Sequence, residues 1–250
     1  MGRLTAKGKR PEAALKSRAA FSPFILLIAT LPLLASAFRG AAQSSANDLR
    51  PTEASFAYRF ENPRFYISII DVEVGGDGRA TVRFKRGESG EMLEVKHKLL
   101  PGTLARIRRL YDMLNFLGSQ ENYQDKKDFS HLGWKTISER AGERERKARF
   151  NYTTNEAAKE LSDIFHGVAT QEIRLFDMDL AEQHQPLEMP AQLAALEDEL
   201  RLERITEPER LLQPLREMAM SETLPLIARN HATRLITAIE KKKYKSPIGK

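Results

Sequence analysis

Apolar and polar side chains take turns along residues 80–99. Ala80, Val82 and Phe84 alternate with Thr81, Arg83 and Lys85. Leu93, Val95, His97 and Leu99 alternate with Glu94, Lys96 and Lys98. A period of two sends one set to each face of a strand. Residues 65–74 (FYISIIDVEV) are rich in β-branched and aromatic strand formers. Gly75, Gly76 and Gly78, then Gly87 and Gly90, offer turns between the three runs. The spacing predicts a three-stranded meander over 65–99 with one apolar and one charged face.

Beyond Pro101 and Gly102 the period lengthens. Leu104, Ile107, Leu110, Tyr111, Leu114 and Leu117 share a helical face, and Gly118 is placed to end it. A second hairpin is expected from Trp134 to Arg140 and from Arg146 to Thr153, turning near Gly142. Thr153 and Glu156 have capping-box spacing for a helix carrying Leu161, Ile164, Phe165 and Val168 and running across Gly167 to about Gln183. Past Gly167 the stripe drifts to Ile173, Phe176 and Leu180, so this helix kinks or changes partners.

The remainder reads as helical. Leu193, Leu196 and Leu200 mark one helix over 191–203. Thr206 and Glu209 form a second capping box ahead of Leu211, Leu215 and Met218, with Pro214 expected to kink the helix. Ser221 is placed to cap a last helix whose stripe is Leu224, Ile227, Ala228, His231, Leu235 and Ile239.

These elements predict an α+β fold. An antiparallel sheet of about five strands has helices packed on one face as two hairpin-then-helix units, and an all-helical C-terminal segment follows. The expected divisions are a leader at 1–42, a flexible lead-in at 43–62, a sandwich domain at 63–185, a helical segment at 186–243 and a basic tail at 244–250. In outline 65–183 is similar to PepSY-type and protease- or lactamase-inhibitor-type modules. No motif is shared, so the likeness implies an architecture and no activity.

The leader changes the charge argument. Arg3, Lys7, Lys9, Arg10, Lys16 and Arg18 precede an apolar run over 21–38 (FSPFILLIATLPLLASAF), interrupted by Pro23 and Pro32. Small residues then offer cleavage after Ala37 or after Ala42, the pattern of an export signal. An uncleaved anchor is the alternative, although the run is short for a span. Residues 1–42 hold seven Lys/Arg and one acid, so the remaining chain carries 33 charges of each sign and no net charge. The basic balance belongs to the leader, which argues against nucleic-acid binding. The chain has no cysteine, which excludes disulfides, thiolate metal sites and cysteine nucleophiles.

No phosphate-cradling glycine loop, zinc-protease helix or nucleophile elbow is present. His97, His131, His166, His184 and His231 show no metal-ligand spacing, so neither a metal nor another cofactor is expected. Two side chains invite a structural role: His231 on an apolar stripe, and Glu172 near one, which an arginine partner would explain. The connection 119–134 (SQENYQDKKDFSHLGW) is long, and such loops often carry function. It places Tyr123, Asp128, His131 and Trp134 close in sequence as candidate ligand or partner contacts.

The expectation is an exported protein, periplasmic or extracellular or held by an uncleaved N-terminal helix. It would serve the bacterial envelope as a non-enzymatic binding or structural module. A periplasmic hydrolase, a secreted enzyme inhibitor or a small-ligand sensor are the alternatives. Its expected partner is an envelope protein or a second copy met through the C-terminal helices. Membrane contact would be confined to an uncleaved leader or the basic tail.

Overall fold

A computed structural model describes residues 54–248. The leader, with Ala37 and Ala42, lies outside the described residues, as does the lead-in up to residue 53. Six strands are formed: β1 (Ala54–Glu61), β2 (Ile67–Gly75), β3 (Arg79–Arg86), β4 (Met92–Lys98), β5 (Trp134–Ala141) and β6 (Arg144–Phe150). They make one antiparallel sheet in the order β4-β3-β2-β1-β5-β6.

The expected meander is β2 to β4 and the expected second hairpin is β5 with β6. The strand that joins them, β1, falls in the stretch expected to be a flexible lead-in. Phe56, Tyr58 and Phe60 are buried and alternate with Ala57, Arg59 and Glu61, so the period-two pattern does extend to this segment. Register aligns Val95, Val82, Val72, Tyr58, Ile137 and Ala148 in one row across all six strands. Removing β1 would therefore separate the two hairpin systems.

Two helices cover that apolar face. In α1 (Pro101–Met113), Ile107, Leu110 and Tyr111 are buried, and the Tyr111 hydroxyl donates to the Ser138 carbonyl at 2.9 Å. This helix ends before Gly118, because Asn115 takes the left-handed conformation (φ 42°) and turns Phe116 inward. The second, α2 (Glu156–His184), is capped by Asn155, whose side chain accepts from Ala158 N at 3.0 Å. Thr153 instead accepts from the Asn155 amide. The opposite face of the sheet is polar and crossed by pairs such as Arg59 with Asp71 and Arg83 with Glu73 and Glu94. Exposed pairs of this kind contribute little to stability.

A second core lies beyond the sheet. It is built from α3 (Met189–Arg201), α4 (Leu212–Met220), α5 (Leu226–Glu240) and the end of α2, where Met178 and Ala181 are buried. Pro214 stands in the first turn of α4, where its missing N–H costs nothing, so it does not kink the helix. Pro225 precedes α5, while Ser221 bonds to Thr223 rather than capping α5. The buried stripe of α5 includes Ala232 and omits Ile227, which is 65% exposed.

One continuous helix thus serves both cores. Gly167 makes the crossing possible: a Cβ there would overlap Thr206 Oγ1 and press on the backbone of Arg204 and Thr206. Thr206 does not cap the following helix. Its hydroxyl donates to the Ile164 carbonyl at 2.7 Å, across α2. The tail folds back on the same point, with Ser246 Oγ donating to the Thr206 carbonyl at 2.7 Å and Ile248 packed on the sheet core.

Two outcomes test this arrangement. A chain beginning at residue 63 fails to give a cooperative thermal transition, whereas one beginning at residue 47 melts as a unit; equal melting would remove β1 from the centre of the fold. Gly167→Ala lowers stability by about 1–3 kcal/mol in chemical denaturation, through overpacking; an unchanged midpoint would mean that the crossing is loose.

Candidate functional site

The candidates in 119–134 are fixed by several local contacts. Tyr123 is buried, stacked on Phe116 at 6.1 Å, with the Arg146 guanidinium over its ring at 5.3 Å. Arg146 also donates to the carbonyls of Phe116 and Glu121, both at 2.6 Å. Asp128 accepts from the Ser130 amide and from Asn151 Nδ2, each at 2.8 Å, and these bonds with the nearby His131 hold its carboxyl below the ordinary range. Asn151 accepts in turn from the Phe129 amide at 3.0 Å. His131 is exposed beside Phe129, and Trp134 lies beneath Arg149, whose guanidinium is 4.4 Å from the ring centre. The long connection is latched by Arg146 and Asn151, with Asp128 and His131 as electrostatic neighbours, Tyr123 beneath Arg146 and Trp134 beneath Arg149.

A cavity of about 800 Å³ lies elsewhere, between the sheet and α2. Its floor is Phe60 of β1, Ile67 and Ile70 of β2 and Lys135 of β5. Its roof is one face of α2, where Asp163, His166, Thr170, Arg174 and Asp177 recur at helical spacing with Gly167 and Ile173 between them. Leu202 and Arg204 close one side together with Pro247 of the tail. Phe65, Tyr66 and Leu132, all well exposed, stand at the mouth. Gly133, at φ 105°, carries the chain from Leu132 into β5 beneath the Phe60 ring, where a side chain would not fit.

Lys135 shares the inward face of β5 with Ile137. Burial lowers the pKa of its ammonium; Asp163 opposes that shift and Lys159 adds to it. Among the described residues its Nζ makes no hydrogen bond, and the side chain is only partly buried. Burial also pushes His166 down to about 4, helped by repulsion from Lys135 and Arg204. The ring is therefore neutral near pH 7. Its Nδ1 lies 3.2 Å from the Tyr58 hydroxyl, and burial raises Tyr58 well above the usual phenol range. The phenol keeps its proton, and Nδ1 is the acceptor within its reach among the described residues, so the tautomer that satisfies the buried Tyr58 carries the imidazole proton on Nε2.

The other charges are largely paired. Arg174 and Arg204 reach Glu199 at 3.0 and 3.6 Å, and Asp177 pairs with Arg86. Among the described residues no three His, Asp or Glu side chains converge as metal ligands, and no helix is long and apolar enough to cross a membrane.

A second cluster of buried ionisable groups joins the sheet edge to the helical layer. Glu207 accepts from the Leu100 amide at 2.8 Å, and Gln171 accepts from the Glu207 amide at 3.1 Å. Glu172 is buried, 3.9 Å from both Arg210 and His97, and burial raises its carboxyl. Both ring nitrogens of His97 lack a partner, and burial followed by Arg210 lowers this histidine to about 4. His231 bonds Glu197 at 2.8 Å, a satisfied structural histidine. No protein-family model matches this chain, and no curated protein matches it.

The buried histidines make stability depend on pH. Between about pH 6.5 and 4 the unfolded chain takes up protons that folded His97 and His166 refuse, so stability is present near pH 7 and falls with pH. From pH 7 to 5 the loss is roughly 2 kcal/mol per histidine. The raised carboxyl of Glu172 works in the opposite direction, so the readout is a difference. His97→Asn gives a shallower decline in melting temperature over that range than the native chain; parallel curves would contradict the assignment.

Proposed function

We propose that this chain is an exported, non-enzymatic binding module of the bacterial envelope, holding a small amphipathic molecule in the cavity between the sheet and α2. The carrying observation is a cavity of about 800 Å³ that combines an apolar mouth with two inward polar groups, Lys135 and His166. Its size lies within the ~300–1,000 Å³ of small-molecule sites, and its lining mixes apolar side chains with charged ones, which suits an amphipathic ligand.

Hydroxyl groups on the lining come from Tyr66 and Thr170. Neither has a hydrogen bond to His166 that would mark an activated nucleophile, which favours binding over hydrolysis. The export signal read at 1–42 and the neutral remainder of the chain support a place outside the cytoplasm.

The test uses phenylnaphthylamine, a neutral fluorophore that brightens in apolar surroundings. It binds the purified protein saturably at one site. Thr170→Trp, whose ring occupies the cavity, weakens binding at least about tenfold while the circular dichroism spectrum stays native. Absence of saturable binding, or equal binding by a folded Thr170→Trp variant, would refute the proposal.

A further inference from the structure

We infer that the cavity takes an amphipathic monocarboxylate, with the carboxylate at Lys135 and His166 and the apolar body toward Phe65, Tyr66 and Leu132. This rests on the reading of the cavity as a ligand site. The ammonium of Lys135 has no acceptor among the described residues, although the side chain points into the fold from β5. A partly buried cation without a partner is disfavoured, and an anion arriving beside it offsets that cost. The neutral His166 ring offers its Nε2–H as a second donor, because the Tyr58 hydroxyl already occupies Nδ1 at 3.2 Å. A charged donor and a neutral donor suit the two oxygens of a carboxylate.

Charge counting selects the ligand's valence. Arg174 and Arg204 are engaged by Glu199, and Asp177 is engaged by Arg86. At the floor Lys135 has Asp163 near enough to temper it, and Arg64 and Glu203 add one charge of each sign to the lining. Together with Arg86, which pairs Asp177, the charged side chains of the lining leave one excess positive charge; a monoanion balances it and a phosphate dianion exceeds it. The mouth supplies the apolar half: Phe65 is 44%, Leu132 53% and Tyr66 72% exposed. Covering these side chains would add favourable burial for an alkyl or aryl body.

The inference is tested by displacing bound phenylnaphthylamine with four ligands that share a twelve-carbon chain: dodecanoate, dodecanol, dodecylammonium and dodecyl phosphate. Dodecanoate is expected to displace the probe at concentrations about tenfold below the alcohol, and below the phosphate dianion as well. The ammonium is expected to be the weakest. In Lys135→Met the acid loses its advantage over the alcohol, while the alcohol itself is unaffected; Lys135→Arg keeps the advantage. Equal displacement by acid and alcohol, a stronger phosphate, or an unchanged acid preference in Lys135→Met would overturn the inference while leaving the cavity a binding site. Failure of phenylnaphthylamine to bind would instead remove the reading beneath it.

Discussion

The contact on which the remaining architecture depends is the close crossing of α2 by residues 204–206. With no side chain at Gly167, the Thr206 hydroxyl reaches the Ile164 carbonyl at 2.7 Å. Three features follow. The helix continues past the sheet and contributes Met178 and Ala181 to the helical core. Leu202 and Arg204 are held as one wall of the cavity. The tail is tied down by Ser246 on the Thr206 carbonyl, which brings Pro247 to the same wall. A helix interior usually disfavours glycine by about 1 kcal/mol relative to alanine. Here that loss is offset by packing that no larger residue permits.

The cavity carries a cost of its own. Lys135 and His166 are partly buried, and burial disfavours the charged form of each. The fold resolves the histidine internally, through the buried phenol of Tyr58, and leaves the lysine without a protein acceptor among the described residues. On the proposed reading a carboxylate ligand supplies that acceptor. The second buried cluster differs in kind. Glu207, Gln171 and the Leu100 amide are joined by hydrogen bonds, and what they join is the sheet edge to the helical layer.

Much of the fold was legible because periodicity reports burial directly. The alternation at 80–85 and 93–99, the second hairpin and the long helix across Gly167 all emerge where the pattern places them. β1 was hidden by its neighbours: its six-residue alternation follows a polar stretch and ends in Glu61 and Asn62, which resemble a linker. Capping boxes misled for a local reason. Asn155 lies closer to its helix than Thr153, and Thr206 is drawn away by tertiary contact with Ile164. The site was nearly illegible. Asp163, His166, Thr170, Arg174 and Asp177 form a polar stripe that looks like a solvated helix face, and only tertiary structure shows that it covers a cavity. The available signal was Lys135, a charge in phase with Ile137 on the inward side of a strand. From the loop that drew attention in the sequence, Leu132 is the residue that reaches the cavity.

The central claim is that Lys135, partly buried and without a hydrogen-bond acceptor among the described residues, receives an anionic ligand. Nuclear magnetic resonance of the Lys135 side chain, followed through a pH titration with and without dodecanoate, tests it most directly. The amine is expected to titrate below the ordinary lysine range in the free protein, with Asp163 and Lys159 as its charged neighbours. Ligand should move that midpoint upward. A Lys135 that titrates like an exposed lysine and ignores the carboxylate would contradict the account.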